Sequence, residues 1–228
     1  MRLLHCSQLS ECVVQDFPSS ANLGVYDAFT CLQWVQQNIG YFGGDVNRIT
    51  IWGQSSGGMT AGLLMLSPLT DGLFTSVIMD SAPLPLAATD CSNSEKATLR
   101  WINQTECVKL PLAAQLVCLQ NLTLQQLYNA VDRAGQTVLL GPPDWTIQFS
   151  PCVDGILISQ PPLAVLLQGK YKSVPVLAGF NSDEGAYFTM NASANPSSPV
   201  PIPVSPDFFN QYINMYECSR RQCRKMWL

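Results

Sequence analysis

The chain has 228 residues, of which 47% are hydrophobic and 12% are charged, and its formal net charge is −4 at pH 7. This size and composition favour a globular domain with a sizeable core, and the acidic balance argues against a nucleic-acid-binding protein. Apolar residues form no uninterrupted run of the ~20 residues that a helix across a bilayer requires, so we expect no membrane span.

The first half of the chain alternates between helical and strand patterns. Residues 26–38 are predicted to form a helix, and residues 49–53 are short, β-branched and aromatic, as expected for a buried strand. Residues 58–66 are apolar and rich in good helix formers until Pro68 ends the pattern. A strand that leads directly into a helix is typical of an α/β protein.

The turn between that strand and that helix has the sequence Gly53-Gln54-Ser55-Ser56-Gly57. Such a turn holds its central serine in a strained backbone conformation, and we expect Gly53 and Gly57 to be needed because they lack a Cβ atom. The Ser56 backbone N–H would lie at the helix N-terminus, where it can stabilise an oxyanion. Strand, turn and helix together favour the nucleophile elbow of an α/β-hydrolase, with Ser55 as nucleophile, over a glycine-rich structural turn.

Two further strands are predicted after the elbow, at residues 76–79 and 174–179. Between them, residues 91–131 are rich in leucine and glutamine, and we interpret them as helices broken at Pro111.

Several blocks of sequence on both sides of the elbow form a common pattern. They cover residues 22–27, 32–39, 42–45, 80–83, 151–155 and 175–185. Together with the elbow they resemble the type B carboxylesterase and cholinesterase family of α/β-hydrolases. The resemblance extends over residues 22–213 and implies a partial α/β-hydrolase domain, in which the predicted strands are neighbours in a parallel sheet that lacks further strands on both sides. It leaves residues 1–21 as an unassigned N-terminal segment and residues 214–228 as an atypical basic tail.

The resemblance implies a serine esterase that hydrolyses carboxylic esters through an acyl-enzyme. It assigns the nucleophile to Ser55, an oxyanion donor to the Ser56 N–H, and the acidic member of the triad to Glu184, the residue before Gly185. The implied partner is a small-molecule ester. Neither a metal nor another cofactor is implied, because no metal-ligand spacing is present in the sequence.

Two parts of the family's catalytic site are missing from the sequence. The triad histidine should follow Glu184, but the only histidine is His5, for which a surface or terminal position is the simpler interpretation. The family's early glycine-rich oxyanion loop is absent too, since the first glycine is Gly24. We therefore expect an internal fragment of an esterase that is nearly inert by itself. The alternatives are a non-catalytic cholinesterase-like adhesion or binding protein and a truncated product without function.

The nine cysteines point to an oxidising compartment. The resemblance implies a disulfide between Cys107 and Cys118. Cys31 and Cys152 are interpreted as small buried hydrophobic residues instead.

Three glycosylation sequons begin at Asn103, Asn121 and Asn191 and agree with secretion, although about one or two would occur by chance. The first residues of the chain lack the apolar stretch of a signal peptide. We therefore expect a full-length form in the secretory pathway whose signal is not present in this chain.

Overall fold

A computed structural model of the chain describes residues 22–133 and 150–184. The segments 1–21 and 214–228, together with His5 and Asn191, lie outside the described residues. The helices and strands are, in chain order, α1 (Leu23–Asn38), β1 (Thr50–Gln54), α2 (Ser56–Leu66), β2 (Ser76–Asp80), α3 (Cys91–Ile102), α4 (Leu112–Asn121), α5 (Leu124–Arg133), α6 (Pro162–Leu167) and β3 (Val176–Gly179). The described residues up to Ser182 belong to one compact unit, whereas Asp183 and Glu184 belong to a second.

The three strands form a parallel sheet with β2 in the middle. Ile51 of β1 pairs in register with Val77 of β2, which in turn pairs with Val176 of β3. The parallel direction and the neighbour order confirm the partial α/β-hydrolase arrangement implied by the sequence, and they place the carboxyl ends of all three strands at one edge of the sheet. Within the described residues, β1 and β3 each pair on one side only.

Helix α2 packs closely on β1 and β2 and supplies much of the core. Leu63, Leu64 and Met65 of this helix are each less than 5% exposed. Gly62 allows the close approach, because a Cβ atom there would lie 2.5 Å from Cδ1 of Leu84 and 3.1 Å from the sulfur of Met79. Helices α1 and α6 contact α2 in turn. The helix ends at Leu66, shortly before Pro68, as the sequence predicts.

The other face of the sheet is exposed in the described part of the chain. Trp52, Ile78 and Leu177 are register neighbours across this face, and the side chains of Trp52 and Leu177 are 71% and 65% exposed. The Trp52 indole N–H donates a hydrogen bond of 2.7 Å to the Asp80 carboxylate. The expectation of a buried strand therefore holds for one face of β1, where Ile51 packs against the core, and fails for Trp52 on the other.

Helices α3, α4 and α5 enclose a second, smaller core. It contains Trp101, Cys107, Leu119 and Ala130, all of them buried. The disulfide between Cys107 and Cys118, implied by the sequence resemblance, is present. It joins the short 3₁₀ turn at residues 106–109 to α4, so it closes the helical segment over its own core.

A second disulfide joins Cys91, the first residue of α3, to Cys152. The interpretation of Cys152 as an unbonded residue is therefore wrong, although its side chain is fully buried. An isolated bridge between Thr89 and Cys152 brings the two segments together, and nothing in a sequence separation of 61 indicates that pairing. Cys31 was also expected to be buried but is exposed, because α1 turns Leu32 and not its neighbour toward the core.

Asn22 ties the start of α1 to the segment around Cys152. Its side-chain amide donates to the Cys152 carbonyl at 2.8 Å and to the Asp154 carboxylate at 2.7 Å, and its oxygen accepts from the Cys152 N–H at 2.8 Å. The other Asp154 oxygen accepts from the N–H groups of Ile156 and Ile158. Asn22 is only 3% exposed, so these bonds compensate the burial of its amide.

Loss of the Cys91–Cys152 disulfide should destabilise the protein more than loss of the Cys107–Cys118 disulfide. The sequence separations are 61 and 11 residues. Loop-closure entropy of the unfolded chain then gives about 4 and about 3 kcal/mol for the two cross-links. Urea unfolding of the Cys91→Ala/Cys152→Ala and Cys107→Ala/Cys118→Ala variants measures both, and each pair is the matched control for the other. A smaller loss for the longer loop would contradict this account.

Burial, followed by the negative charge of Asp154, raises the pKa of the Tyr26 phenol above its usual 10.0, and a hydrogen bond with the Leu157 backbone opposes this rise. A group whose pKa is higher in the folded state than in the unfolded state stabilises the fold. This stabilisation is complete below pH 10.0 and is lost as the pH rises through the folded-state pKa. We therefore expect Tyr26→Phe to lose less unfolding free energy than the parent when the pH is raised beyond 10.0.

Urea unfolding of the parent and of Tyr26→Phe at a series of alkaline pH values tests the Tyr26 prediction. Tyr41→Phe is a suitable control substitution because its ring is 88% exposed. Parallel stability curves for the parent and Tyr26→Phe would show that Tyr26 makes no such contribution.

Candidate active site

Ser55 has a backbone conformation that serine rarely adopts. Its φ is 53° and its ψ is −119°, in a region that residues with a Cβ atom avoid at a cost of about 1–3 kcal/mol. The surrounding structure holds it there from both sides. Its N–H donates to the Asp80 carbonyl at 2.9 Å, and its carbonyl accepts from the Met59 N–H at 2.8 Å.

The same turn places Ser55 at the N-terminus of α2. Ser55 is the N-cap residue and is half-buried, but its hydroxyl does not cap the helix. Ser56 is the first helical residue, so its N–H has no acceptor within the helix and lies at the end with positive partial charge. The Ser55 hydroxyl therefore belongs to the residue directly before this backbone donor, and the oxyanion role of the Ser56 N–H stays a prediction.

The close crossing of β1 and α2 requires glycine at two positions. A Cβ atom at Gly53 would lie 2.2 Å from the Gly57 carbonyl carbon, which confirms the expectation for Gly53. For Gly57 the expectation is wrong, since a Cβ atom there would meet nothing within 4 Å in the described part of the chain. The second requirement falls on Gly58, where a Cβ atom would lie 2.8 Å from both the Gly53 carbonyl oxygen and the Ala82 Cβ. In the sequence, the two consecutive glycines Gly57 and Gly58 were the signal that could have indicated the requirement at position 58.

One peptide group links the ends of β1 and β3 at the site. The carbonyl of Asp80 accepts from the Ser55 N–H, and the N–H of Ser81, in the same peptide group, donates to the Gly179 carbonyl at 2.8 Å. Ser81 has a φ of 49°. In the described ranges, Ser55 and Ser81 are the two non-glycine residues with positive φ. Residues 80–83 belong to the family resemblance, but no role for Ser81 can be predicted from the sequence, because serine does not signal a positive φ.

Glu184, the expected acidic residue, follows β3 along the chain. Glu184 is half-buried and lies in the second compact unit. Its catalytic role stays a prediction. Among the described residues, no three His, Cys, Asp or Glu side chains are grouped as ligands of a metal ion.

Comparison with known proteins places this geometry in a family. The model of the carboxylesterase family matches residues 13–220. The chain belongs to the carboxylesterase family. It is 32% identical over 204 residues to acetylcholinesterase from Danio rerio and 32% identical over 197 residues to cholinesterase from Mus musculus. It is also 31% identical over 177 residues to liver carboxylesterase 1 from Oryctolagus cuniculus.

Solved carboxylesterase structures share the fold. The crystal structure of carboxylesterase EST55 from Geobacillus stearothermophilus at pH 6.2 superposes with a TM-score of 0.71 and 25% identity, covering 94% of this chain and 41% of the bacterial one. The alignments cover 85%, 86% and 74% of this chain but 30%, 32% and 30% of the three curated relatives. The chain therefore spans about a third of the length of these relatives.

Within the described residues, no helix is both long and apolar enough to cross a membrane.

Alanine substitution at the three elbow glycines should separate required glycines from a tolerated one. Gly53→Ala and Gly58→Ala introduce overlaps with backbone atoms and should each lower stability by about 1–3 kcal/mol. Gly57→Ala should be neutral or stabilising by up to about 1 kcal/mol, because alanine favours the helix more than glycine does.

Urea unfolding of the three variants, which differ from one another only in the position of one methyl group, checks this order. A loss at Gly57→Ala as large as that at Gly53→Ala would show that the elbow is built differently.

Proposed function

We propose that this chain carries the nucleophile of an enzyme that hydrolyses small-molecule carboxylic esters. The observation that supports this most is the strained conformation of Ser55 at the start of α2, with a φ of 53°. A structural turn gains nothing from such strain in a serine, whereas a nucleophile elbow needs it to expose the hydroxyl beside a helix N-terminus. Membership of the carboxylesterase family agrees with this role.

In the proposed mechanism, Oγ of Ser55 attacks the ester carbonyl carbon and the carbonyl π electrons move onto oxygen. The Ser56 N–H donates a hydrogen bond to this oxyanion. Collapse of the tetrahedral intermediate breaks the bond to the ester's alkoxy oxygen, which takes from the protonated base the proton first removed from Ser55 and leaves as the alcohol, so that an acyl group remains on Ser55. Attack by water then releases the carboxylic acid and restores the serine. Glu184 orients the general base and stabilises it when it is protonated.

The general base must take the proton of Ser55, and a histidine normally does this. The 228 residues contain one histidine, His5, which precedes the elbow, whereas the chain order of α/β-hydrolases places the base after the acid. We therefore propose that the 228 residues alone have little esterase activity and that the base comes from polypeptide outside them.

We also propose that the protein matures in an oxidising compartment of the secretory pathway. The support is the pair of disulfides at Cys91–Cys152 and Cys107–Cys118, which would not persist among cytosolic thiols.

The catalytic proposal can be tested by joining the chain in frame to the flanking segments of Mus musculus cholinesterase. We expect the completed chain to hydrolyse a p-nitrophenyl ester and the 228 residues alone to react no faster than their Ser55→Ala variant. In the completed chain, Ser55→Ala should lower kcat about a millionfold and Glu184→Gln by roughly ten-thousandfold. Ser56→Ala is the matched control, because it keeps the backbone N–H that the mechanism uses.

Three outcomes would contradict parts of the proposal. Equal turnover by the completed chain and its Ser55→Ala variant would exclude Ser55 as nucleophile. Unchanged turnover in Glu184→Gln would exclude Glu184 as the acid. Turnover by the 228 residues alone that His5→Ala abolishes would show that the base lies within this chain after all.

A further inference from the structure

A cleft lies at the edge of the sheet opposite Ser55. Helix α2 begins at the elbow, beside the carboxyl end of β1, and runs back over the sheet because parallel strands need a returning connection. The helix is roughly 16 Å long, so Leu66 ends it near the amino ends of the strands. The end of α2, helix α6 and the segment before β3 line a cleft with a volume of about 340 Å³.

Part of the cleft wall is apolar and belongs to the core. Met65, Leu66 and Val165 line the cleft, and each of them is at most 8% exposed. A smaller pocket of about 10 Å³ shares Leu66 and Val165 with the cleft and is lined mainly by apolar side chains. Small-molecule sites typically combine such apolar walls with a few polar groups that orient the ligand.

The polar part of the cleft carries two lysines, Lys170 and Lys172, on either side of Tyr171. Nζ of Lys172 donates a hydrogen bond to the Ser67 carbonyl and lies 2.9 Å from the Asp71 carboxylate, so its charge is compensated. Lys170 is exposed and has no ion pair within the described residues. The cleft therefore holds one uncompensated positive charge.

The backbone holds Lys170 in position. Gly169 follows α6 with a φ of 66°, a left-handed conformation that favours glycine. Its N–H donates to the Leu166 carbonyl at 3.1 Å, and the Lys170 N–H donates to the Val165 carbonyl at 3.1 Å. These two bonds form a Schellman motif, which ends the helix and fixes the residue that follows the glycine. With Lys172 anchored two positions later, this segment has little freedom to lose when it binds a ligand.

We propose that this cleft binds a small carboxylate with an aliphatic tail. The carboxylate pairs with the ammonium group of Lys170, and the Tyr171 hydroxyl on the same segment is a further donor. The tail lies along Met65, Leu66 and Val165 and loses contact with water there. A single uncompensated positive charge matches one carboxylate better than a doubly charged phosphate. The inference is independent of esterase activity, because Ser55 lies at the other end of α2.

Isothermal titration calorimetry of the 228-residue chain with sodium octanoate tests the proposal. We expect one binding site per chain and an affinity that falls roughly fivefold or more in Lys170→Gln. Lys109→Gln is the matched control, because it removes the same charge from an exposed lysine outside the cleft and should leave the affinity unchanged. No binding to the parent chain, or equal affinity in the parent and Lys170→Gln, would overturn the proposal.

Three further probes separate the contribution of the charge from that of the tail. Acetate has the carboxylate alone and should bind more weakly than octanoate, by about threefold for each methylene group that the cleft buries. Octylammonium has the same tail with the opposite charge and should not bind. Inorganic phosphate should bind more weakly than octanoate. Acetate or phosphate binding as tightly as octanoate would overturn the role of the tail, and equal binding of octylammonium would overturn the role of Lys170.

Chemical protection of the lysines locates the bound octanoate. Acetylation by a water-soluble acetyl ester, read by peptide mass spectrometry, should slow at Lys170 when octanoate is present and stay unchanged at Lys109 in the same sample. Equal rates at Lys170 with and without octanoate would show that the ligand binds elsewhere. The completed chain described under the proposed function should bind octanoate with the same affinity. Loss of binding on completion would show that flanking polypeptide fills the cleft and would overturn the proposal.

Discussion

The crossing of β1 and α2 at Gly53 is the constraint on which the site depends. The backbone of Gly57 passes so close to Gly53 that a single methyl group on Gly53 would lie 2.2 Å from it. Because the helix begins this close to the strand that precedes it, the connecting residue has no room for a relaxed turn. Ser55 makes this connection with a positive φ.

The hydrogen bonds of the sheet stabilise that conformation. The parallel ladder extends one step beyond the ends of the strands, through the peptide group of Asp80 and Ser81, and joins Ser55 to Gly179. The turn after β1, the turn after β2 and the end of β3 are thus held in one backbone network. If Ser55 is the nucleophile, as proposed, a backbone fixed in this way leaves it little freedom to lose when it meets a substrate, which is the condition for efficient attack.

The outline of this fold could be predicted from the sequence because its signals are local. The apolar helix α2, the short strands around it and the elbow between them each follow from residue types over a few positions. The short helix α6 was not predicted, because six residues carry too little periodicity to distinguish a helix from other apolar segments. The Cys91–Cys152 disulfide was missed for a different reason, since a pairing across 61 positions depends on the folded backbone and not on any local pattern.

The site shows the same division between local and distant information. Ser55 and Ser56 could be assigned from five letters because strand, turn and helix are contiguous, whereas the need for glycine at position 58 arises from Ala82 and Gly53, which are contacts in space. Proton transfer requires a base and an acid from segments remote in sequence, and no local pattern supplies their geometry. The elbow itself is therefore held by residues that surround it in the sheet. Its strained geometry forms from strand, turn and helix alone, whereas the rate of any reaction at Ser55 would depend on the proton-transfer groups as well.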